Sequence, residues 1–269
     1  MSRFAKKTVV AGAILMVVAV VGFAVWAARG LGPGEQAVEA LVSDGNVVVH
    51  QRSGDWYVFT PNPESQPLSG EDWSVDPLRY TGAVDRGIII YPGGRVDARS
   101  YAPLARRFAE RGYPVILVEA PLNFMLLASD RAAAIVGVYP EVEQWTLIGH
   151  SLGAAAAARL IDRAEPVELS TYGIDSLVLL AGYPASRWDI SDKAVSVLSL
   201  TAEHDGVLDR DVWNSARDLL PADTEFSEIA GGNHAGFADY GAQRGDGDAR
   251  ISNREQMDRT VERVLRFVE

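Results

Sequence analysis

Gly149-His150-Ser151-Leu152-Gly153 sets one serine between glycines two positions before and two positions after it. The apolar run Trp145-Thr146-Leu147-Ile148 precedes the pentapeptide and the small residues Ala154 to Ala158 come after it. A strand, then G-x-S-x-G, then a helix describes a nucleophile elbow, a tight turn that holds a serine hydroxyl exposed above a sheet. The glycines keep side chains out of a turn in which strand and helix approach closely. A serine hydroxyl is too weak an acid to attack at neutral pH unaided. It needs a base within hydrogen-bond reach, and the base needs a carboxylate that orients it.

In an elbow chain those partners come in the order serine, acid, histidine. Asp205 lies in Thr201-Ala202-Glu203-His204-Asp205-Gly206, just beyond a strand that ends near Leu200. His234 lies in Gly231-Gly232-Asn233-His234-Ala235-Gly236, just beyond the last strand expected from the pattern. Both are glycine-rich loops suited to presenting a side chain at a sheet edge. The chain has 4 histidines in all, which narrows the choice of base. His50 falls in an early hairpin, His150 inside the elbow, and His204 in the loop of the acid. Glu203, Asp209 and Asp211 compete with Asp205 for the role of acid. The catalytic set expected is therefore Ser151, Asp205 and His234.

Charge that develops on a substrate oxygen needs two N–H groups aimed at it. One is expected from Leu152, directly after the nucleophile, where a helix N-terminus adds its positive end. The other is expected from Pro92-Gly93-Gly94-Arg95, directly after the apolar run Ile88-Ile89-Ile90-Tyr91. Gly94 is the first choice in that loop and Arg95 the second.

These loops need a scaffold, and the pattern supplies one. Asn46 to His50 and Trp56 to Thr60 are β-rich runs separated by Ser53-Gly54-Asp55, a hairpin. Short apolar runs at Gly87–Tyr91 and Val115–Val118 suit strands buried on both faces, and further strands are expected at Trp145–Gly149, Leu177–Ala181, Val195–Leu200 and Glu225–Ile229. Tyr101, Leu104, Ala105 and Phe108 fall at helical spacing, with Gly112 as a cap, and Met257, Val261, Val264, Leu265 and Val268 make one stripe on a terminal helix. Strands that alternate with helices imply an α/β fold, a mostly parallel central sheet with helices on both faces. An antiparallel hairpin ahead of such a sheet is the α/β-hydrolase arrangement. About a dozen residues separate the runs near Ala181 and Val195, too few for a large lid domain.

Tyr91-Pro92-Gly93-Gly94-Arg95-Val96, Tyr101-Ala102-Pro103-Leu104-Ala105 and the elbow resemble the fold-5 family of α/β-hydrolases, relatives of dienelactone hydrolase. So do Gly232 to Gly241 and the subsequent Gln243-Arg244-Gly245-Asp246-Gly247. The similarity covers residues 45 to 269. It implies a serine hydrolase in which Ser151, Asp205 and His234 stand at the matching positions, and no cofactor. Dienelactone hydrolases proper use a cysteine nucleophile. This chain has no cysteine, so that activity does not carry over.

Composition bounds the rest. With 269 residues and 48% hydrophobic content, one sizeable core accounts for the chain. Lacking cysteine, it forms no disulfide and no thiolate metal site. Four of its basic residues and none of its acidic ones fall in the first thirty positions, which leaves the remainder at 21 basic against 36 acidic. That balance argues against nucleic acid or an anionic lipid surface as the partner of the main domain.

Residues 8–28 carry no charge, a run long enough to cross about 30 Å of hydrocarbon as a helix. Arg3, Lys6 and Lys7 before it keep the N-terminus cytoplasmic and send the rest of the chain across the membrane. A cleaved signal peptide, with Val25-Trp26-Ala27 as its site, is the rival reading; its apolar core would be unusually long. The layout expected is a cytoplasmic 1–7, a transmembrane helix at 8–28, a juxtamembrane linker at 29–44 opened by Gly30-Leu31-Gly32-Pro33-Gly34, and a hydrolase domain at 45–269. A chain from about residue 43 onward is then expected to be soluble and active. Pro121 to Leu127 reads equally as an acyl pocket or as core packing, and Asp239 to Asp248 is a weak candidate for a cation loop.

The function expected is a membrane-anchored serine esterase, outside the cytoplasm, that forms an acyl-enzyme on a small-molecule ester or acyl substrate. Alternatives are an acyltransferase with the same triad and an inactive α/β-hydrolase serving as a binding module.

Overall fold

In a computed structural model the described residues are 30–52, 55–62 and 84–269, with Met16, Val18 and Gly22 besides. The span expected at 8–28 therefore lies outside the described residues except for those three. Among the described residues no helix is long and apolar enough to cross a membrane.

Eight strands form one sheet: β1 (Val47–Arg52), β2 (Trp56–Pro61), β3 (Val84–Tyr91), β4 (Val115–Val118), β5 (Val142–His150), β6 (Ile174–Leu180), β7 (Ser196–Ala202) and β8 (Glu225–Ile229). Their order is β1-β2-β4-β3-β5-β6-β7-β8. β1 pairs antiparallel with β2, and β2 with β4, whereas every other pairing is parallel. Each strand expected from the pattern exists, with ends shifted by a few residues. Ser53 and Gly54 of the expected hairpin turn lie outside the described residues.

Strand side chains alternate between faces, so the central strands feed two cores. Ile88, Ile90, Leu117, Ile148, Val178, Leu180, Leu198 and Leu200 point to one face. Ile89, Tyr91, Ile116, Trp145, Leu147, Leu177, Leu179 and Val197 point to the other. The first core is covered by α1 (Glu35–Ala40), α2 (Ala102–Ala109) and α7 (Asn253–Val268), through Ala40, Leu104, Phe108, Met257, Val261 and Val264. The second is covered by α3 (Arg131–Val138), α4 (Leu152–Arg163) and α5 (Pro166–Tyr172), through Ile135, the alanines of α4, Ile161 and Leu169. Burying a side chain the size of Phe108 contributes about 1.5–3 kcal/mol. The short α6 (Arg210–Ser215) precedes β8. Residues 181–195, where a lid would be inserted, hold turns and no helix or strand.

The expected linker proves to be part of the domain from Gly30 onward. Leu31 N–H donates to the Arg95 carbonyl at 2.7 Å, and Asp97 N–H donates to the Leu31 carbonyl at 2.9 Å, a parallel bridge centred on Val96. Asp239 receives the start of α1: its carbonyl accepts from Gly34 N–H at 2.7 Å and its Oδ2 from Ala37 N–H at 2.9 Å. At the other end Arg106 donates from Nε to the Ala40 carbonyl at 3.0 Å, bonds the Val42 carbonyl, and pairs with Asp44 at 2.8 Å. A glycine-rich composition suggests a hinge. Here the backbone groups of Leu31 and Gly34 find fixed partners, which composition does not reveal.

A chain that begins at Gly30 should therefore melt like the longer protein. One that begins at Ser43 loses several backbone bonds of roughly 0.5–1.5 kcal/mol each, and should lose on the order of 2–4 kcal/mol of stability. Denaturant midpoints of the two chains check this, and equal midpoints would show that 30–42 contributes nothing.

Candidate active site

β5 ends at His150 and α4 begins at Leu152, so Ser151 must turn the chain alone. Its backbone sits at φ 52°, ψ −118°, a region that non-glycine residues rarely adopt and that costs about 1–3 kcal/mol. Ser151 N–H donates to the Leu180 carbonyl at 2.9 Å, and its own carbonyl accepts Ala154 N–H at 3.0 Å to start α4. The flanking glycines are sterically required. A Cβ on Gly149 would lie 2.5 Å from the Gly153 carbonyl oxygen, and one on Gly153 would lie 2.3 Å from that of Tyr91.

Ser151 lines a cleft of about 210 Å³ together with Leu152, Ala155, Ala181 and Gly182 on one side. Tyr183, Val207, Leu208, Asp209 and His234 complete it. His234 is buried, and its Nδ1 lies 2.9 Å from Asp205 Oδ2. Asp205 Oδ1 accepts from the N–H groups of Val207 at 2.9 Å and Leu208 at 2.8 Å. Burial by itself would raise the Asp205 carboxyl. The bond and charge of His234, with the two backbone N–H groups, outweigh it and hold the carboxyl below the ordinary carboxylate range. A proton on His234 Nδ1 leaves Nε2 as the acceptor nitrogen, the tautomer a general base for serine needs. Among the described residues no hydrogen bond joins Ser151 Oγ to His234, and such contacts often tighten only when substrate is present.

The competing residues go elsewhere. Glu203 Oε2 accepts Gly231 N–H at 2.8 Å, and His204 faces Glu203 at 3.8 Å. Asp209 caps α6 by accepting from Asp211 and Val212, although it also borders the cleft.

The loop after β3 distinguishes its own N–H groups. Gly93 N–H donates to the Tyr101 hydroxyl at 2.9 Å, and Arg95 N–H donates to the Asn123 carbonyl at 2.7 Å. Arg95, the second choice for an oxyanion donor, thus has its N–H already engaged. Gly94 N–H has no partner among the described residues. A Cβ on Gly94 would fall 2.8 Å from the Leu152 side chain, so this loop lies directly against the start of α4. Gly94 and Leu152, the two first-choice donors expected from the sequence, are thus neighbours in space, and neither N–H has a hydrogen-bond partner among the described residues.

The family enters here. The model described as "Alpha/beta hydrolase family" matches residues 87–258, well over half of the chain. The chain belongs to the α/β-hydrolase family. No curated protein matches it. Among solved structures it is similar in fold to dienelactone hydrolase from Anabaena variabilis, at 11% identity and TM-score 0.53, covering 82% of this chain and 99% of that one. A thermophilic esterase from Thermogutta terrifontis matches at 13% identity and TM-score 0.53, covering 87% and 93%. Naproxen esterase from Bacillus subtilis matches at 14% identity and TM-score 0.53, covering 87% and 95%. The resemblance read from the elbow, the Pro92 loop and the His234 loop is thereby borne out.

For an α/β-hydrolase, this chain fixes its loops in ways that sequence pattern does not disclose. Asp246 Oδ1 accepts from Gly206, His234 and Gly247 N–H groups at 3.2, 3.1 and 2.9 Å, and its Oδ2 accepts from Ala235 N–H at 2.8 Å. One carboxylate therefore clasps the loop of Asp205 to the loop of His234. In the stretch Asp239 to Asp248, the candidate cation loop, Asp239 and Asp246 both spend their carboxylates on backbone N–H groups, and no cluster able to hold a metal occurs among the described residues. Pro121 to Leu127 does not border the Ser151 cleft. Met125 is buried in the second core, Leu127 is exposed, and Asn123 supports Arg95.

A carboxyl held below its ordinary range in the folded state adds stability above that range, and the gain is lost as pH falls through its folded value. Asp205→Asn should cost about 1–3 kcal/mol near neutrality, because the buried His234 loses its charged partner. Its stability should then fall less than that of the unchanged chain between about pH 5 and pH 3. Denaturant midpoints across that window decide the point, and parallel acid limbs would contradict the role given to Asp205.

Proposed function

We propose that this α/β-hydrolase is a serine esterase that works through an acyl-enzyme on Ser151. One observation carries the reading: a serine held at positive φ shares a cleft with a buried histidine whose other nitrogen is bound to a carboxylate. In this reading Ser151 Oγ attacks the ester carbonyl as His234 Nε2 takes its proton. Asp205 holds the imidazole in that tautomer and stabilises the imidazolium that forms. The N–H groups of Leu152 and Gly94 receive the oxyanion, aided by the N-terminus of α4. His234 then protonates the leaving alkoxide, and water repeats the sequence to release the acid. The walls of the cleft (Leu152, Ala155, Ala181, Val207 and Leu208) are mostly apolar, and its volume of about 210 Å³ suits a short acyl group. The esterase-like solved structures share the fold and support a hydrolase reading.

Ser151→Ala should abolish turnover of a short p-nitrophenyl ester and labelling by a fluorophosphonate probe without changing the melting temperature. His234→Ala should lose several orders of magnitude, and Asp205→Asn a smaller amount, since the acid orients and does not itself carry the proton. If Ser151→Ala kept a tenth of the turnover, another nucleophile would be at work. If the unchanged chain took up no probe, the binding-module reading would replace this one.

The same reading places the domain on a membrane by a helix over residues 8–28, with the cleft on the extracytoplasmic side. Its support is the uncharged run behind Arg3, Lys6 and Lys7, set against an acidic remainder. Leu31 is bonded to the domain, and the three residues from Ala28 reach at most about 10 Å, so the domain would rest close to the lipid surface. Intact mass of the native protein distinguishes an anchor from a cleaved signal, since a new N-terminus near Ala28 would remove the anchor. Protease added to spheroplasts should reach the domain; full protection would reverse the topology.

A further inference from the structure

His150 precedes the nucleophile, is buried, and takes no part in the proton transfers above. Its ring lies 4.6 Å from the ring of His234, centroid to centroid, and 5.5 Å from that of Phe237. Its Nδ1 is 2.6 Å from the hydroxyl of Tyr101, which is itself fully buried. That hydroxyl also accepts Gly93 N–H at 2.9 Å. A backbone N–H can only donate, so the hydroxyl accepts from Gly93; its own proton, fully buried, has no acceptor among the described residues except His150 Nδ1, and donating there leaves neither group unsatisfied. His150 must then be the Nε2–H tautomer, and its Nε2 makes no well-formed hydrogen bond. Burial, together with the neighbouring His234 imidazole, holds His150 well below the ordinary histidine range, although the His234 backbone carbonyl pulls the other way. Gly93 allows the contact: a Cβ there would lie 3.0 Å from the Tyr101 hydroxyl and 3.2 Å from His150 Nδ1.

Resting on the esterase reading, we infer that Tyr101 and His150 are a positioning pair that joins three parts of the site. The chain of contacts runs from Gly93 N–H through the Tyr101 hydroxyl to the His150 ring, and from that ring to His234. Gly93 adjoins Gly94, the oxyanion donor of the loop, and His150 adjoins Ser151 and thus Leu152, the donor of the elbow. One hydroxyl therefore sets the separation of the two donors, which belong to segments far apart in sequence. The His150 ring also backs the base, and its tautomer gives it a second task. With Nδ1 committed to the Tyr101 proton, His150 stays neutral while His234 becomes charged. The single carboxylate of Asp205 then serves one imidazolium and not two.

The test compares Tyr101→Phe, His150→Leu and His150→Asn with the unchanged chain. Readouts are kcat and KM on a short p-nitrophenyl ester, the rate of fluorophosphonate labelling, and melting temperature. Tyr101→Phe and His150→Leu should lower kcat and the labelling rate together by about 10–100-fold, the scale of misplacing a reacting group, while KM changes little. His150→Asn offers a carbonyl oxygen where Nδ1 stood and should recover most of the loss. NMR of the imidazole nitrogens should find His150 protonated on Nε2, and that tautomer should lose its dominance in Tyr101→Phe. Unchanged kcat in folded Tyr101→Phe, a loss confined to KM, or a proton on His150 Nδ1 would overturn the pair. An unchanged chain inert to every ester and to the probe would overturn the esterase reading instead, and the tautomer measurement would still judge the pair by itself.

Discussion

The site depends on one constraint, the reversal of chain direction at Ser151 between the last residue of β5 and the first of α4. A helix that starts within one residue of a strand's end can be built only with a strained residue at the corner and almost no side-chain volume around it. Gly149 and Gly153 meet the second condition, because a Cβ on either would strike backbone that cannot yield. The strain at Ser151 persists because its N–H is tied to β6 through Leu180 and its carbonyl to Ala154. From this corner the hydroxyl faces the cleft, the Leu152 N–H is left without a helical partner, and α4 must run close to the sheet. The run Ala154 to Ala158 is the consequence, since larger residues would hold the helix away.

Around that rigid corner the remaining parts are loops, and loops need to be held. Three different devices do so. The loop of Gly93 to Arg95 is tied to Tyr101, Asn123 and Leu31, and Gly94 packs against Leu152 with its N–H outside that set of bonds. The Asp205 loop turns its carboxylate inward and ties it with two of its own N–H groups. The His234 loop is fastened to the Asp205 loop by Asp246, whose single carboxylate takes four N–H groups from both segments and its own. None of these contacts is strong alone. Together they let loops act with the precision that regular elements give elsewhere.

How much of this the sequence discloses depends on the range of the interactions. Period-two and period-3.6 patterns are local, so the strands, α2 and α7 are legible with ends shifted by a few residues. The family resemblance rests on short motifs around Ser151, Gly94 and His234, and the family model that matches the chain bears it out. The place of Asp205 beside His234 is legible from chain order and strand ends, and the structure puts the two in contact. The hidden part is set by long-range backbone bonds. Nothing local marks Arg95 N–H as occupied by Asn123, or Asp246 as a clasp in place of a cation ligand. The sequence places His150 inside the elbow and no more; its contact with Tyr101 spans 49 positions and has no periodic signature.

The N-terminal stretch shows the same limit from the other side. Gly30-Leu31-Gly32-Pro33-Gly34 has the composition of a hinge, yet its bonds run to Arg95, Asp97 and Asp239. A backbone without bulky side chains can be flexible, or it can lie flat against another backbone, and composition does not separate the two. Gly30 takes the second course, for a Cβ there would lie 2.2 Å from the Arg95 carbonyl oxygen. That oxygen belongs to the residue next to Gly94, so the stretch from Gly30 lies directly against the loop after β3. Two backbone bonds of Leu31 hold it there, and α1 continues the hold, its start fixed on Asp239 and its end gripped by Arg106, so a stretch that looks like a hinge is a fixed support for the loop after β3.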